Sequence, residues 1–127
     1  MKVLLLTFII NLSIGLGFSA TASVDKNRCT IDDIISFKIE FENADSFSNI
    51  DISSLIKDFT VISGPSQQTS MQWINGKVTN SRIMSWSLSP KREGRLVIPR
   101  LNVQISGKNS VTEKIVVFVD QSQKKEN

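Results

Sequence analysis

Apolar and polar residues alternate strictly along part of the chain, and this alternation is the clearest structural signal in the sequence. Between Ile35 and Glu42, every second residue is apolar, and the residues between them are Ser, Lys or Glu. Successive side chains of a β-strand point to opposite faces of a sheet. The pattern therefore predicts a strand with one buried face and one face in contact with water.

Asn75-Gly76 predicts a tight turn between two further strands. Both residues tolerate the positive φ angles of a type I′ turn, which joins antiparallel strands through a two-residue loop. The turn predicts three cross-strand pairs: Ile74 with Lys77, Trp73 with Val78, and Met71 with Asn80. One face of the hairpin then carries the bulky apolar side chains Met71, Trp73, Val78, Met84, Trp86 and Leu88.

Two interpretations of this apolar face remain open. The first is a sandwich core that buries both Trp73 and Trp86, and we favour it. Serine predominates on the opposite face, as on an antiparallel strand that faces water on that side. The second is a small-ligand or carbohydrate-binding module that uses Trp73 and Trp86, and it requires at least one exposed indole.

The rest of the chain contains short apolar runs separated by Gly, Pro and Asn, which end strands and begin turns. Residues 43–58 predict a loop with one helical turn around Ser53–Lys57. Ser63-Gly64-Pro65 is expected to end the strand that begins at Phe59. The last strand, Val111–Val119, contains an unbroken apolar run that favours a central position or burial on both faces. About seven short strands at this spacing predict an all-β fold, an immunoglobulin-like antiparallel β-sandwich.

The N-terminal residues predict a secretory signal peptide. Lys2 is followed by the apolar run Val3–Gly17 and by the small residues Ala20-Thr21-Ala22, and these are the three parts of such a peptide. The apolar run is shorter than the ~20 residues that span a bilayer. We therefore predict cleavage between Ala22 and Ser23, and an uncleaved membrane anchor is the alternative.

This prediction sets the domain organisation and the location of the protein. Residues 1–22 are the signal peptide, residues 23–120 are the sandwich domain, and residues 121–127 are a polar tail that we expect to be disordered. A cleaved protein is released into the periplasm, whereas an uncleaved one stays tethered to the inner membrane. The sequence shows no second apolar segment, so no C-terminal membrane anchor is expected in this chain.

The composition excludes several classes of site. The chain has no histidine and a single cysteine, Cys29. It therefore cannot assemble a Ser-His-Asp or Cys-His catalytic unit, a zinc site made of His or Cys, or an intramolecular disulfide. We predict that the protein is not an enzyme and has no catalytic, cofactor-binding or metal-binding residues. Cys29 is expected to be a buried or tolerated thiol, and pairing with another molecule is the alternative.

The charge balance is mildly basic, with a formal net charge of +3. Nucleic-acid binding requires a concentrated basic face, and export also argues against it, so no nucleic-acid partner is expected. Four basic residues do lie near one another after the hairpin: Lys91, Arg92, Arg95 and Arg100. This loop is the candidate partner-binding surface of the sequence, and the alternative, which we favour, is a solvated turn.

Four short segments between Phe59 and Pro99 occur in a characteristic order: Phe59–Ser66, Ile74–Val78, Leu88–Gly94 and Ile98–Pro99. Together with Ser23–Asn27 and Ser36–Glu40, they resemble the N-terminal domain of the BatD family, the oxygen-tolerance or aerotolerance proteins of bacteria. The resemblance extends over nearly all of residues 23–119.

The resemblance implies a non-enzymatic, exported envelope protein built from immunoglobulin-like domains. Family members usually continue through further such domains to a transmembrane helix near the C-terminus. This sequence shows one domain, so we expect either a shortened relative or fragment, or a free periplasmic module. Family members are encoded beside a MoxR-type ATPase and von Willebrand A-domain membrane proteins. We therefore expect a protein–protein interaction module that works with such proteins in aerotolerance or envelope stress. The family provides no catalytic residues to carry over.

Overall fold

The computed structural model describes residues 20–42, 50–105 and 107–122, and these residues form an all-β fold. They contain one short 3₁₀ helix, Ser53–Lys57, at the position where the sequence predicts a helical turn. The strands are β1 (Ala20–Val24), β2 (Arg28–Thr30), β3 (Ile35–Glu42), β4 (Phe59–Ile74), β5 (Lys77–Pro90), β6 (Gly94–Ile98), β7 (Asn102–Ile105), β8 (Lys108–Val111) and β9 (Ile115–Asp120).

The strands form two main sheets and a small hairpin. The first sheet has the order β1-β3-β5-β4, the second has the order β2-β9-β6, and β7 pairs with β8. All pairs are antiparallel except β2 with β9. The chain therefore changes from the first sheet to the second between Val24 and Arg28. This arrangement is consistent with the predicted immunoglobulin-like β-sandwich.

The hydrophobic core lies between the two sheets. On β3 the predicted alternation is confirmed, because Ile35, Phe37, Ile39 and Phe41 are fully buried. On β5, the neighbouring core residues are Met84, Trp86 and Leu88. Phe37 and Trp86 stack with ring centroids 5.5 Å apart and an interplanar angle of 30°. The second sheet and the small hairpin complete the core with Leu96, Ile98, Val103, Ile105, Val117 and Val119.

The β4–β5 hairpin has the register that the sequence predicts. Its three predicted cross-strand pairs are all present: Ile74 with Lys77, Trp73 with Val78, and Met71 with Asn80. Asn75 and Gly76 have φ angles of 51° and 80°, as a type I′ turn requires. The hairpin prediction is therefore confirmed in its turn, its pairing and its face assignment.

The prediction that Ser63-Gly64-Pro65 ends a strand is wrong. β4 continues through these residues, and its register against β5 shifts between Val61 and Ser63 and again between Ser63 and Ser66. Gly64 has a φ of 119°, and a Cβ atom there would lie 2.8 Å from both Trp86 Cδ1 and the Ser85 carbonyl oxygen. Gly64 therefore forms a bulge whose backbone lies directly on the Trp86 side chain.

The C-terminal part of the domain contains one strand more than predicted. The predicted strand Val111–Val119 is divided, because β8 ends at Val111 and β9 begins at Ile115. Between them the buried Thr112 forms two hydrogen bonds with Leu101. The Leu101 N–H donates to Thr112 Oγ1 at 2.9 Å, and the Thr112 N–H donates to the Leu101 carbonyl oxygen at 3.0 Å. β9 lies between β2 and β6, which confirms its predicted central position.

The predicted signal-peptide boundary falls inside β1. Ala22 and Ser23 lie opposite Ile39 and Lys38 of β3. Residues 1–19 and residues 123–127 lie outside the described residues, so the signal peptide and most of the polar tail remain predictions. Two residues of that tail, Gln121 and Ser122, follow β9 without regular secondary structure.

Candidate functional site

The basic loop between β5 and β6 does not form one free surface, because two of its residues contact the end of the 3₁₀ helix. The Lys91 ammonium donates to the Ile56 carbonyl oxygen at 2.6 Å, and the Lys91 N–H donates to the Asp58 carbonyl oxygen at 2.9 Å. Arg92 Nη2 forms an ion pair with Asp58 Oδ1 at 3.1 Å. Basic side chains commonly hydrogen-bond the last carbonyl groups of a helix. Lys91 and Arg92 thus hold the loop against the 3₁₀ helix.

The other two predicted basic residues lie in different surroundings. Arg95 is on β6, where its position in the sheet is opposite Phe118 of β9. Arg100 is exposed in the segment between β6 and β7. The four residues therefore lie in different local surroundings, and their role as a partner-binding surface stays a prediction. Arg95 is the one that lies beside another feature of interest.

That feature is an exposed phenylalanine between two arginines on the outer face of the second sheet. Phe118 is 40% exposed, and its register neighbours are Arg28 on β2 and Arg95 on β6. The Arg28 guanidinium carbon lies 5.3 Å from the centroid of the Phe118 ring, within the range of a cation–π contact. We call Arg28, Phe118 and Arg95 the Arg-Phe-Arg strip.

The alternation of side chains along β9 explains the strip. Val117 and Val119 point into the core, so the residues between and after them, Phe118 and Asp120, point outward. Arg28 Nη1 also forms an ion pair with Asp120 Oδ2 at 2.9 Å.

Sequence reasoning missed the strip because Phe118 lies in an unbroken apolar run, and such a run favours burial on both faces of the strand. Exposed aromatic and arginine side chains are the residue types that protein interfaces select.

The two tryptophans do not form one site, and the prediction of a core that buries both of them is wrong. The one exposed indole that the ligand-binding alternative requires is that of Trp73. Trp86 is 3% exposed in the core, whereas Trp73 is 73% exposed near the end of the hairpin. Trp73 pairs with Val78, which lies roughly 26 Å from Trp86 along β5 at the usual strand rise. Both side chains lie on the predicted face of the hairpin, but the opposing sheet covers only the part of that face that carries Trp86.

Trp86 also borders a shallow apolar depression of about 320 Å³, next to the bulge in β4. Its lining residues are Ile50, Ile52, Gly64, Pro65, Met84 and Trp86. Although this volume is within the range of small-molecule sites, almost all of the Trp86 surface is buried. The indole therefore offers a ligand very little contact area.

Cys29 is buried on β2, opposite Val119 of β9. Burial raises the pKa of the Cys29 thiol, and the nearby Asp33 carboxylate raises it further. A raised pKa keeps the thiol protonated and unreactive near neutral pH. The thiol therefore behaves as a small apolar group of the core, as the sequence predicts.

The titration of Cys29 predicts a loss of stability at alkaline pH. Because the pKa is higher in the folded chain than in the unfolded chain, the contribution of the thiol to stability is complete below the unfolded pKa of about 8.5. It is lost as the pH rises through the folded pKa. We expect the free energy of unfolding, measured with urea, to fall more steeply above this pH in the wild type than in Cys29→Ala. Equal slopes in the two proteins would contradict the prediction.

Comparison with known protein families identifies a match to this chain. The family model described as the BatD DUF11 like domain matches residues 22–119. No curated protein and no solved structure gave a significant match. Among the residues that the structure describes, no helix is long and apolar enough to cross a membrane. Because the family match covers most of the sequence, the chain belongs to the BatD family, and this membership indicates a protein of the bacterial envelope.

Proposed function

We propose that this protein is a non-enzymatic interaction module of the bacterial envelope and that it binds a protein partner through the Arg-Phe-Arg strip. The observation that carries the proposal is the exposed Phe118 ring between Arg28 and Arg95. Residues that dominate binding energy are often aromatic side chains and arginines near the centre of an interface. Because Arg28 forms an ion pair with Asp120, the positive charge that favours an acidic partner surface is that of Arg95.

The partners that we propose are von Willebrand A-domain membrane proteins associated with a MoxR-type ATPase, acting in aerotolerance or envelope stress. Family membership supports this choice. We further propose that the protein is exported and begins at Ser23 in the periplasm after cleavage of the signal peptide. If cleavage fails, the N-terminal segment tethers it to the inner membrane.

Capture of envelope proteins by the tagged protein tests the strip. We expect Arg95→Ala to lower the yield of a captured von Willebrand A-domain protein by about tenfold or more, as for a residue at the centre of an interface. Arg100→Ala is the matched control, because it removes the same charge from an exposed arginine outside the strip. It should leave the yield unchanged.

A second variant in the same assay separates the aromatic contact from the charge. Phe118→Ala should reduce capture as strongly as Arg95→Ala if the ring itself enters the interface. The proposed site is wrong if Arg95→Ala and Arg100→Ala capture equal amounts. The proposed partner class is wrong if the wild type captures no von Willebrand A-domain protein. The mass of the tagged protein, measured after its recovery from the cell envelope, also shows whether its chain begins at Ser23.

A further inference from the structure

The distal part of the β4–β5 hairpin consists of Ser66–Ile74 paired with Lys77–Ser85, and we call it the arm. The tip of the arm extends beyond the rest of the first sheet. β3 pairs with β5 as far as Ser81. Beyond that point, and within the described residues, β4 and β5 have only each other as sheet neighbours. Met71 and Trp73 are 63% and 73% exposed on the arm. The face of the hairpin that carries the core residues Met84 and Trp86 is therefore uncovered at the tip of the arm.

β4 is also an edge strand of the first sheet. Among the described residues its only strand partner is β5. From Ser66 to Ile74 every residue is exposed, so the outer edge presents a row of backbone N–H and C=O groups to water. Such an edge can accept a further strand through main-chain hydrogen bonds.

This edge lacks the features with which proteins usually prevent strand pairing. Exposed edges are normally short or interrupted by proline, a bulge or a charged side chain, especially lysine. Between Asp58 and Lys77 the sequence has no charged residue, and between Pro65 and Asn75 it has neither proline nor glycine. The bulge at Gly64 lies at the start of the arm and leaves the rest unprotected. The opposite edge of the same sheet, β1, is a short strand of 5 residues.

We propose that the protein forms a homodimer in which β4 of one copy pairs antiparallel with β4 of a second copy, centred on Ser70. In this register, residues 66–74 of the two copies pair along their whole length. Ser70 lies opposite its own counterpart, Met71 lies opposite Thr69, and Trp73 lies opposite Gln67. The two first sheets then become one continuous sheet across a twofold axis.

Charge favours a second copy as the occupant of this edge. A twofold axis places each residue of the strand against a residue of the same strand, so a charged strand would bring like charges together. This strand carries none, and every cross-strand pair in the register is uncharged. Direct pairs of like charge would be destabilising, and their absence makes the strand complementary to itself.

The geometry of the arm permits the pairing. In an antiparallel pair the two chains run in opposite directions, so the domain of the second copy lies beyond the Asn75-Gly76 turn of the first. The two domains are therefore at opposite ends of the paired strands and do not compete for space. Met71 and Trp73, which are uncovered in one copy, gain neighbours on the same face from the second copy.

The mass of the protein in solution, measured by sedimentation over a wide concentration range, tests the dimer. We expect the wild type to reach the mass of two chains at high concentration. Ser70→Lys should raise the dissociation constant by about tenfold or more, because it places two lysines directly opposite each other. Ser70→Glu should do the same. Asn80→Lys is the matched control: it adds the same charge to the same arm, but on β5, and should dimerise like the wild type.

Mixing the two charged variants tests the register. Because residue 70 is predicted to meet itself, equal amounts of Ser70→Lys and Ser70→Glu should restore the mass of two chains. The proposal is overturned if the wild type has the mass of one chain at every concentration, if Ser70→Lys dimerises as tightly as the wild type, or if the mixture stays dissociated. These results are independent of the partner proposed above, because the Arg-Phe-Arg strip lies on the other sheet.

Discussion

Replacing Trp86 with alanine is expected to lower the free energy of unfolding by about 3–5 kcal/mol, the usual range for truncating a large aromatic residue in a core. Trp86 is almost fully buried, stacks on Phe37, and also supports the backbone of the Gly64 bulge. Its loss leaves a cavity between Phe37 of β3 and the Gly64 bulge of β4. Because small domains are stable by only about 5–15 kcal/mol, the substitution is expected to remove a large part of the free energy of unfolding.

Urea unfolding followed by far-ultraviolet circular dichroism measures this effect. Trp73→Ala is the matched control, because it removes the same side chain from the same hairpin at a position that is mostly exposed. At low protein concentration, where any dimer is dissociated, Trp73→Ala should change stability by no more than about 0.5 kcal/mol. Equal effects of the two substitutions would show that Trp86 does not support the core as described.

Replacing Gly64 with alanine is expected to lower the free energy of unfolding by about 2–4 kcal/mol. One part of the effect is backbone strain, because residues with a Cβ atom rarely adopt a φ of 119°. The other part is steric overlap with Trp86 and with the Ser85 carbonyl oxygen, since overpacking commonly destabilises a protein by about 1–3 kcal/mol. The Ser85 oxygen belongs to the backbone, so it cannot move away as a flexible side chain would.

Gly107→Ala provides the control for the strain alone. Gly107 also has a positive φ, 83°, but an added Cβ atom there would meet no atom within 4 Å. We expect this control to lose about 1–2 kcal/mol, the usual effect of a positive φ for a residue other than glycine. If both variants are equally stable in urea, Gly64 contributes only its backbone conformation, and its close approach to Trp86 has no energetic importance.

Much of this fold could be predicted because its strongest signals are local. The alternation in β3 depends only on the direction of successive side chains, and the Asn75-Gly76 turn sets the pairing of the hairpin by itself. These signals also assign each side chain to a face correctly. They do not show how far the opposing sheet extends. The sequence could therefore place Trp73 and Trp86 on one face but could not predict that only Trp86 is buried.

The errors arise where the answer depends on residues distant in the sequence. Gly64 and Pro65 look like a turn locally, and only contact with Trp86 shows that they form a bulge. The contact of Arg92 with Asp58 joins residues 34 positions apart, so the sequence alone did not show that the 3₁₀ helix holds the basic loop in place. Phe118 lies in an apolar run, and its exposure follows from the absence, within the described residues, of a layer over the outer face of β9.

The position of β1 has a consequence for the export that we propose for this protein. The predicted cleavage bond, between Ala22 and Ser23, is within a strand that pairs with β3. Proteases cut unpaired, accessible segments far more readily than paired strands. A cut at this bond must therefore occur before β1 joins the sheet. Processing and folding would then compete for the same five residues, and a chain that folds first would keep its leader and remain at the membrane.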